Sequence, residues 1–316
     1  MFFSKLFGKK KDREDAERKE APGETEEMQT SGTSSRLENL LAGKGLSRFY
    51  EQMKPYLRNS VRLTPEKCGD EQIAVGASKF GGCPDLPPDT AWFTNPDSGA
   101  QLSFVCQINC AQAKPYDADD RLPARGMLYL FYDCSENGMP WGFAPKDAAG
   151  SKVFYTEARL SSLVRRDVPA GATEFSAARI SFAAEENLPD MTSCHAAKLD
   201  LSDDEIEALS RYTDEKADEG ARNKLLGHSD NIQNDMETEC AFVAAGIYCG
   251  GTEGYEQGRA AGLDKTAGDW SLLMQVDSNE ELRMMWGDKG KLYVWIREGD
   301  LKEKRFDHAR LILQCY

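Results

Sequence analysis

The chain has 316 residues, 40% of them hydrophobic, with a formal net charge of -14 and a mean hydropathy of -0.58. That length allows one large domain or two small ones, and no apolar run approaches the roughly 18 residues that a membrane span requires. The charge excludes nucleic acid as a partner, because phosphate binding needs clustered Lys and Arg; the same acidity suits a basic protein partner through electrostatic steering.

The first residues set Phe2, Phe3, Leu6 and Phe7 beside Lys5 and Lys9, Lys10 and Lys11. Such a tip predicts weak contact of residues 1–11 with an anionic membrane surface. Its basic residues mostly follow the short apolar patch, which is not the order of a secretory signal, so the expected location is cytoplasmic, peripheral to the inner face of the membrane. Residues 12–36 hold almost no large apolar side chain, and the whole of 1–36 reads as a disordered charged tail.

From Leu37 onward the pattern becomes that of a folded domain, 37–316. Leu37, Leu40, Leu41, Leu46, Phe49, Tyr50 and Met53 predict one amphipathic helix, or two interrupted at Gly43 and Gly45. Leu102, Phe104, Cys106 and Ile108 alternate as one face of a strand, with Gln107 on the other. Lys152–Thr156 and Glu174–Phe182 are further strand candidates. Ser202-Asp203-Asp204-Glu205 is a capping box, and Ile206, Leu209 and Tyr212 follow at helical spacing, so a helix is expected to run towards Asn223. Ala241–Tyr248, Leu292–Ile296 and Arg310–Tyr316 read as strands. Strands outnumber helices and hairpin-like spacings dominate, which predicts an α+β fold of mostly antiparallel or mixed sheets with a few covering helices.

Three signals occur twice in the same order. Lys79-Phe80-Gly81-Gly82-Cys83-Pro84-Asp85 matches Lys224-Leu225-Leu226-Gly227-His228-Ser229-Asp230 at Lys, Gly and Asp. The run Leu102–Gln107 corresponds to Leu272–Gln275, each ending on Gln, and Gly126-Met127-Leu128-Tyr129 corresponds to Gly290-Lys291-Leu292-Tyr293. The order implies two sheet-rich lobes built as copies of one unit, at about 60–200 and 201–316. The candidate ligand-binding residues come from these segments: Lys79, Gly82, Asp85, Gln107, His228, Asp230, Gln233 and Gln275. Gly-containing loops let backbone amides approach a ligand, though the same loops also serve as turns that start a sheet. A buried glutamine either fixes a neighbouring loop or lines a cleft shared by the lobes. Cys83 and His228 hold equivalent positions, so a Cys83–His228 pair across the pseudo-axis is a further candidate.

No metal and no cofactor is expected. The nine cysteines are dispersed, without a Cys-x-x-Cys, and read as reduced buried thiols. Asp269, Asp277 and Asp288 lack the spacing of a calcium loop.

Ser78–Pro87, Trp92, Phe104–Asn109, Leu122-Pro123, Gly126–Asp133, Gly227–Gln233, Asp269–Gln275, Trp286–Gly290 and Leu311–Cys315 together resemble the YwqG-like family of bacterial proteins, over roughly residues 60 to 316. Ser229 departs from that pattern, which more often has Pro there, and the stretch 241–268 is longer and more polar. The resemblance implies an internally repeated α+β domain, with no established activity to transfer. Some members resemble accessory proteins encoded near secreted toxins, which implies an immunity-type or toxin-associated role. The expected function is a non-enzymatic protein- or ligand-binding module; the alternative is an enzyme or small-ligand sensor using the inter-lobe cleft.

Overall fold

The computed structural model describes residues 33–135, 139–196, 199–217 and 222–316. The expected membrane contact of residues 1–11 therefore lies outside the described residues, as does nearly all of the tail. The helical pattern begins at Thr33, ahead of Leu37. Its two helices are α1 (Thr33–Gly43) and α2 (Ser47–Met53), separated where Gly45 takes a φ of 78°. There follow β1 (Arg58–Lys67), β2 (Lys79–Phe80), β3 (Asp85–Leu86), β4 (Ser103–Asn109), α3 (Cys110–Ala113), β5 (Met127–Tyr132), β6 (Ser151–Thr156), β7 (Val164–Arg165) and β8 (Ala178–Asn187). The remainder comprises α4 (Asp203–Ala217), β9 (Asn223–Leu226), α5 (Met236–Ala244), α6 (Thr252–Ala260), β10 (Trp270–Asp277), β11 (Lys291–Arg297), α7 (Glu298–Lys302) and β12 (Arg310–Gln314). No described helix is long and apolar enough to cross a membrane.

The fold is mixed α+β. Ten strands form one sheet in the order β12-β11-β10-β9-β1-β8-β2-β4-β5-β6, and every pairing within it is antiparallel. The long β1–β8 ladder, from Arg58–Asn187 to Lys67–Ala178, occupies the centre. One face carries a continuous core from Leu128, Leu130 and Tyr132 to Met274, Trp286, Leu292 and Val294. The opposite face is covered locally: α5 and α6 pack over Trp270, Tyr293 and Trp295, whereas Leu86, Trp92 and Leu163 pack over Phe104, Tyr129 and Phe131. Helices α1, α2 and α4 bury Leu41, Phe49, Met53 and Leu209 among themselves.

Two expectations change on folding. Of Ala241–Tyr248 the first four residues end α5 and the rest form a turn and loop; the first turn of α5 is capped by Asp235 Oδ1 accepting the Thr238 amide at 3.2 Å. Its residues are buried almost all round, so neither a two-residue nor a 3.6-residue period survives in the sequence. The single-face assignment along β4 also fails. A bulge between Phe104 and Cys106 puts Val105 and Cys106 together on the continuous core face while Phe104 stays opposite. An inserted residue shifts the alternation by one, which sequence periodicity cannot register. The α4 capping box forms as expected, with Glu205 Oε2 accepting the Ser202 amide at 2.9 Å. The described helix ends at Ala217, and Asn223 already starts β9.

Candidate functional site

Each of the two outer parts of the sheet carries one row of three side chains. Lys79 on β2 sits opposite Gln107 on β4, which sits opposite Tyr129 on β5. Likewise Lys224 on β9 faces Gln275 on β10, which faces Tyr293 on β11. A second bulge, between Leu272 and Met274, stands at the same distance before Gln275 as the first before Gln107, so both glutamines leave the continuous core face. Each row grips the aspartate six residues after its lysine.

In the first row, Gln107 Oε1 accepts the Asp85 amide at 2.8 Å, and Gln107 Nε2 donates to Asp85 Oδ2 at 2.7 Å and to the Ala77 carbonyl at 2.8 Å. The Tyr129 hydroxyl donates to the Asp85 carbonyl at 2.5 Å. In the second, Gln275 Oε1 accepts the Asp230 amide at 2.9 Å, Nε2 donates to Asp230 Oδ2 at 2.8 Å and to the Arg222 carbonyl at 2.7 Å, and the Tyr293 hydroxyl donates to the Asp230 carbonyl at 2.6 Å. The lysines also match: Lys79 Nζ donates to the Cys83 carbonyl, and Lys224 Nζ to the His228 carbonyl. The connecting loops turn through consecutive left-handed residues, Gly81 and Gly82 at φ 55° and 66°, Leu226 and Gly227 at 59° and 70°. A Cβ on Gly82 would stand 2.4 Å from Asp70 Oδ1, which is itself fixed by Lys79 Nζ at 2.7 Å. Gly82→Ala is therefore expected to lose at least the ~1–2 kcal/mol of a left-handed L-residue, read as a lowered urea midpoint with an unchanged m-value.

The rows differ in electrostatics. Lys79, Asp85 and Gln107 are completely buried. Asp85 is closed off by the Arg165 guanidinium, Nε at 2.9 Å, and Lys79 pairs with Asp70 instead. Burial lowers the Lys79 ammonium from its ordinary value, opposed by Asp70. In the second row one carboxylate serves two cations: Lys224 Nζ lies 2.8 Å from Asp230 Oδ2 and Arg222 Nη2 2.7 Å from Oδ1. Burial raises the Asp230 carboxyl, but Lys224, Arg222 and Lys291 outweigh it and hold the group well below the usual carboxylate range. Burial likewise pushes Lys224 down, against the attraction of Asp230.

Among the described residues, the second row borders a cavity, whereas Lys79, Asp85 and Gln107 of the first are fully buried. Asp230 borders a pocket of about 510 Å³ lined also by Arg222, Lys289 and Lys291 and by the carboxylates of Glu186, Asp190 and Asp277. Leu37, Phe49 and Leu209 from the helices, with Leu188 and Met191 from the segment after β8, supply its apolar lining. Lys291 Nζ has one long hydrogen bond, 3.4 Å to the Asp230 carbonyl. A different pocket, about 490 Å³, lies where residues 93–102 and 148–153 face residues 297–310, and it contains none of the eight candidates.

The fold thus places the eight candidates in separate surroundings. Lys79, Gly82, Asp85 and Gln107 are buried around the first row, Gln275 holds Asp230, and of the eight Asp230 alone lines the 510 Å³ pocket. Gln233 donates to the Cys315 carbonyl at 2.7 Å and borders another cavity. His228 is buried with Nε2 2.7 Å from the Tyr56 carbonyl; burial lowers its imidazole to about 3, with Arg58 adding to the effect, so it is neutral and committed. The Cys83–His228 pair is not made. Strands β2 and β9 are separated by β8 and β1, roughly 14 Å at ordinary strand spacing. The residues that sequence reading missed are Asp70, Arg165 and Arg222, which carry no spacing signal. Tyr129 and Tyr293 were visible in the repeated Gly-x-Leu-Tyr segment, but only the register shows what they hold.

The chain belongs to the DUF1963 family, described as a domain of unknown function, whose family model matches residues 78–315. That span takes in both Lys–Gln–Tyr rows and the bulged strands beneath them. No curated protein matches the sequence.

Proposed function

We propose that the protein is a non-enzymatic ligand-binding module whose site is the pocket over Asp230, and that its two rows are copies of one unit with divided tasks. The first copy keeps a structural task, its aspartate closed by Arg165; the second leaves its aspartate at a cavity. The carrying observation is that asymmetry. In a chain of net charge -14, Arg222, Lys289 and Lys291 meet in one pocket with Glu186, Asp190, Asp230 and Asp277 and a set of apolar side chains, and Asp230 is already taken up by Lys224 and Arg222, which leaves Lys291 the cation with the weakest hydrogen bond there. Such a lining favours an amphipathic anion, its carboxylate on Lys291 and its hydrocarbon against Leu188, Met191 and Leu209.

Decanoate is a suitable probe, with decanol as its uncharged counterpart. Decanoate is expected to raise the melting temperature of the wild-type chain, because a ligand that binds only the folded state stabilises it. The shift should vanish in Lys291→Gln, and decanol should give none. An equal shift with decanol, or one unaltered in Lys291→Gln, would overturn the assignment.

The net charge favours a second reading, a basic protein partner on the acidic exterior, compatible with a toxin-associated role. Such binding would weaken steeply between low and physiological salt, whereas decanoate binding through a partly enclosed site would weaken less.

A further inference from the structure

Outside both rows, Cys194, His195 and Glu237 converge. One potential ligand atom from each lies within 4.8 Å of the other two. The sequence separates them by 42 residues between His195 and Glu237, and the fold joins them by packing the 190s loop against the first turn of α5. Glu237 is 97% buried, at 3% relative exposure, and its Oε2 has no hydrogen-bond partner. An unpaired buried carboxylate oxygen has given up its solvation with nothing in return unless something meets it. The neighbouring Ser193 hydroxyl is also buried without a partner.

We propose that Cys194, His195 and Glu237 form a binding site for a borderline divalent cation of the zinc class. Thiolate, imidazole and carboxylate are all ligands that zinc takes, and a site of three protein ligands leaves its fourth position open. Tetrahedral zinc holds its ligand atoms roughly 3.3–3.8 Å apart, so the present spread must contract by about 1 Å, within reach of side-chain rotation. Cys194 borders a cavity of about 1020 Å³, which supplies an entry path and room for a water or a ligand group at the fourth position. At Cys194 the negative charges of Glu237 and Asp235 outweigh that of Arg58, whose Nη1 donates to Ser271 Oγ at 3.1 Å. The ring of His195 is held between Tyr56, at 5.0 Å between centroids, and His228, at 5.7 Å, so its orientation is largely set before metal arrives. The site does not depend on the amphipathic-anion reading of the other pocket.

The test uses the full chain, reduced, stripped with chelator, and titrated separately with Zn²⁺ and Co²⁺. The expected result is about one tightly bound zinc per chain with a raised melting temperature, and a cobalt complex showing a thiolate-to-metal charge-transfer band. Cys194→Ser should abolish that band. Cys194→Ser and Glu237→Gln should each weaken zinc by more than the about 10–100-fold that loss of an outer-shell partner costs, while Cys68→Ser changes nothing. Glu237→Gln preserves side-chain shape and serves as the readout should Cys194→Ser unfold. Failure of the wild-type chain to retain zinc at near-equimolar level overturns the proposal. So does zinc affinity unchanged in Glu237→Gln, or a cobalt band that persists in Cys194→Ser.

Discussion

Asp230→Ala is expected to lose about 3–5 kcal/mol of folding stability, the usual cost of removing one partner from a buried ion pair. The carboxylate is shared by Lys224 and Arg222 at 2.8 and 2.7 Å, and Lys224 is almost wholly buried. Its removal leaves two cations facing each other without the carboxylate they share. Urea denaturation reads the loss directly, and Asp230→Ala combined with Lys224→Met should regain much of it, because an apolar side chain needs no partner there. A double variant no more stable than the single one would show that the ion pair is not the reason for the loss.

The pH dependence has a definite sign. The folded Asp230 carboxyl lies below its ordinary value, so its contribution is present above the unfolded pKa of about 3.9 and is lost as pH falls through the lower folded value. The wild-type chain should therefore weaken in acid more steeply than Asp230→Ala. In that variant the dominant group is Lys224, whose folded pKa burial already lowers. The unfolded state then binds more protons than the folded one, so the variant's stability should rise as pH increases towards about 10.4. A variant whose stability is flat from neutral to alkaline pH would contradict a buried, uncompensated Lys224.

Gln107→Glu is expected to cost at least about 3 kcal/mol, since each buried group left unsatisfied costs about 1–3 kcal/mol. The amide Nε2 donates to both the Ala77 carbonyl and Asp85 Oδ2. A carboxylate offers no donor to either and sets a like charge beside Asp85 in a fully buried site. Gln275→Glu makes the same chemical change in the second row, but Arg222, Lys224 and Lys291 surround Asp230 and can compensate the added charge. The expected loss is clearly smaller there. Equal losses in the two variants would remove the electrostatic asymmetry on which the ligand site rests.

Local chemistry explains what could be read without a structure. The Ser202–Glu205 capping box, the break near Gly45 and the alternation along Leu292–Ile296 depend on neighbours within a few residues, so sequence spacing determined them. The repeated Lys-x-x-Gly-x-x-Asp spacing likewise pointed to the rows, since a lysine and an aspartate six residues on must flank one turn. The partners of those residues come from distant strands. Gln107 does lie opposite Cys106 and Ile108 as the alternation predicts, but the bulge that sends Leu102 and Phe104 to its side of the sheet, like the bulge before Gln275, leaves no mark in composition. The α5 helix escaped detection because burial on nearly every side erased its period.

The sequence by itself determined the α+β class, the candidate aspartates and glutamines, and the acidity of the chain. Tertiary structure alone decided which row faces a cavity: Arg165 arrives 80 residues after Asp85 and completes its burial, whereas Asp230, although paired with Arg222, stays at the edge of a pocket. It also decided that Cys194 and His195 meet Glu237, a convergence set by how the 190s loop packs on α5. The physical reason is the same in each case. Hydrogen-bond turns and caps are short-range and recur in sequence, whereas burial, charge compensation and ligand geometry depend on which distant segments share one desolvated space.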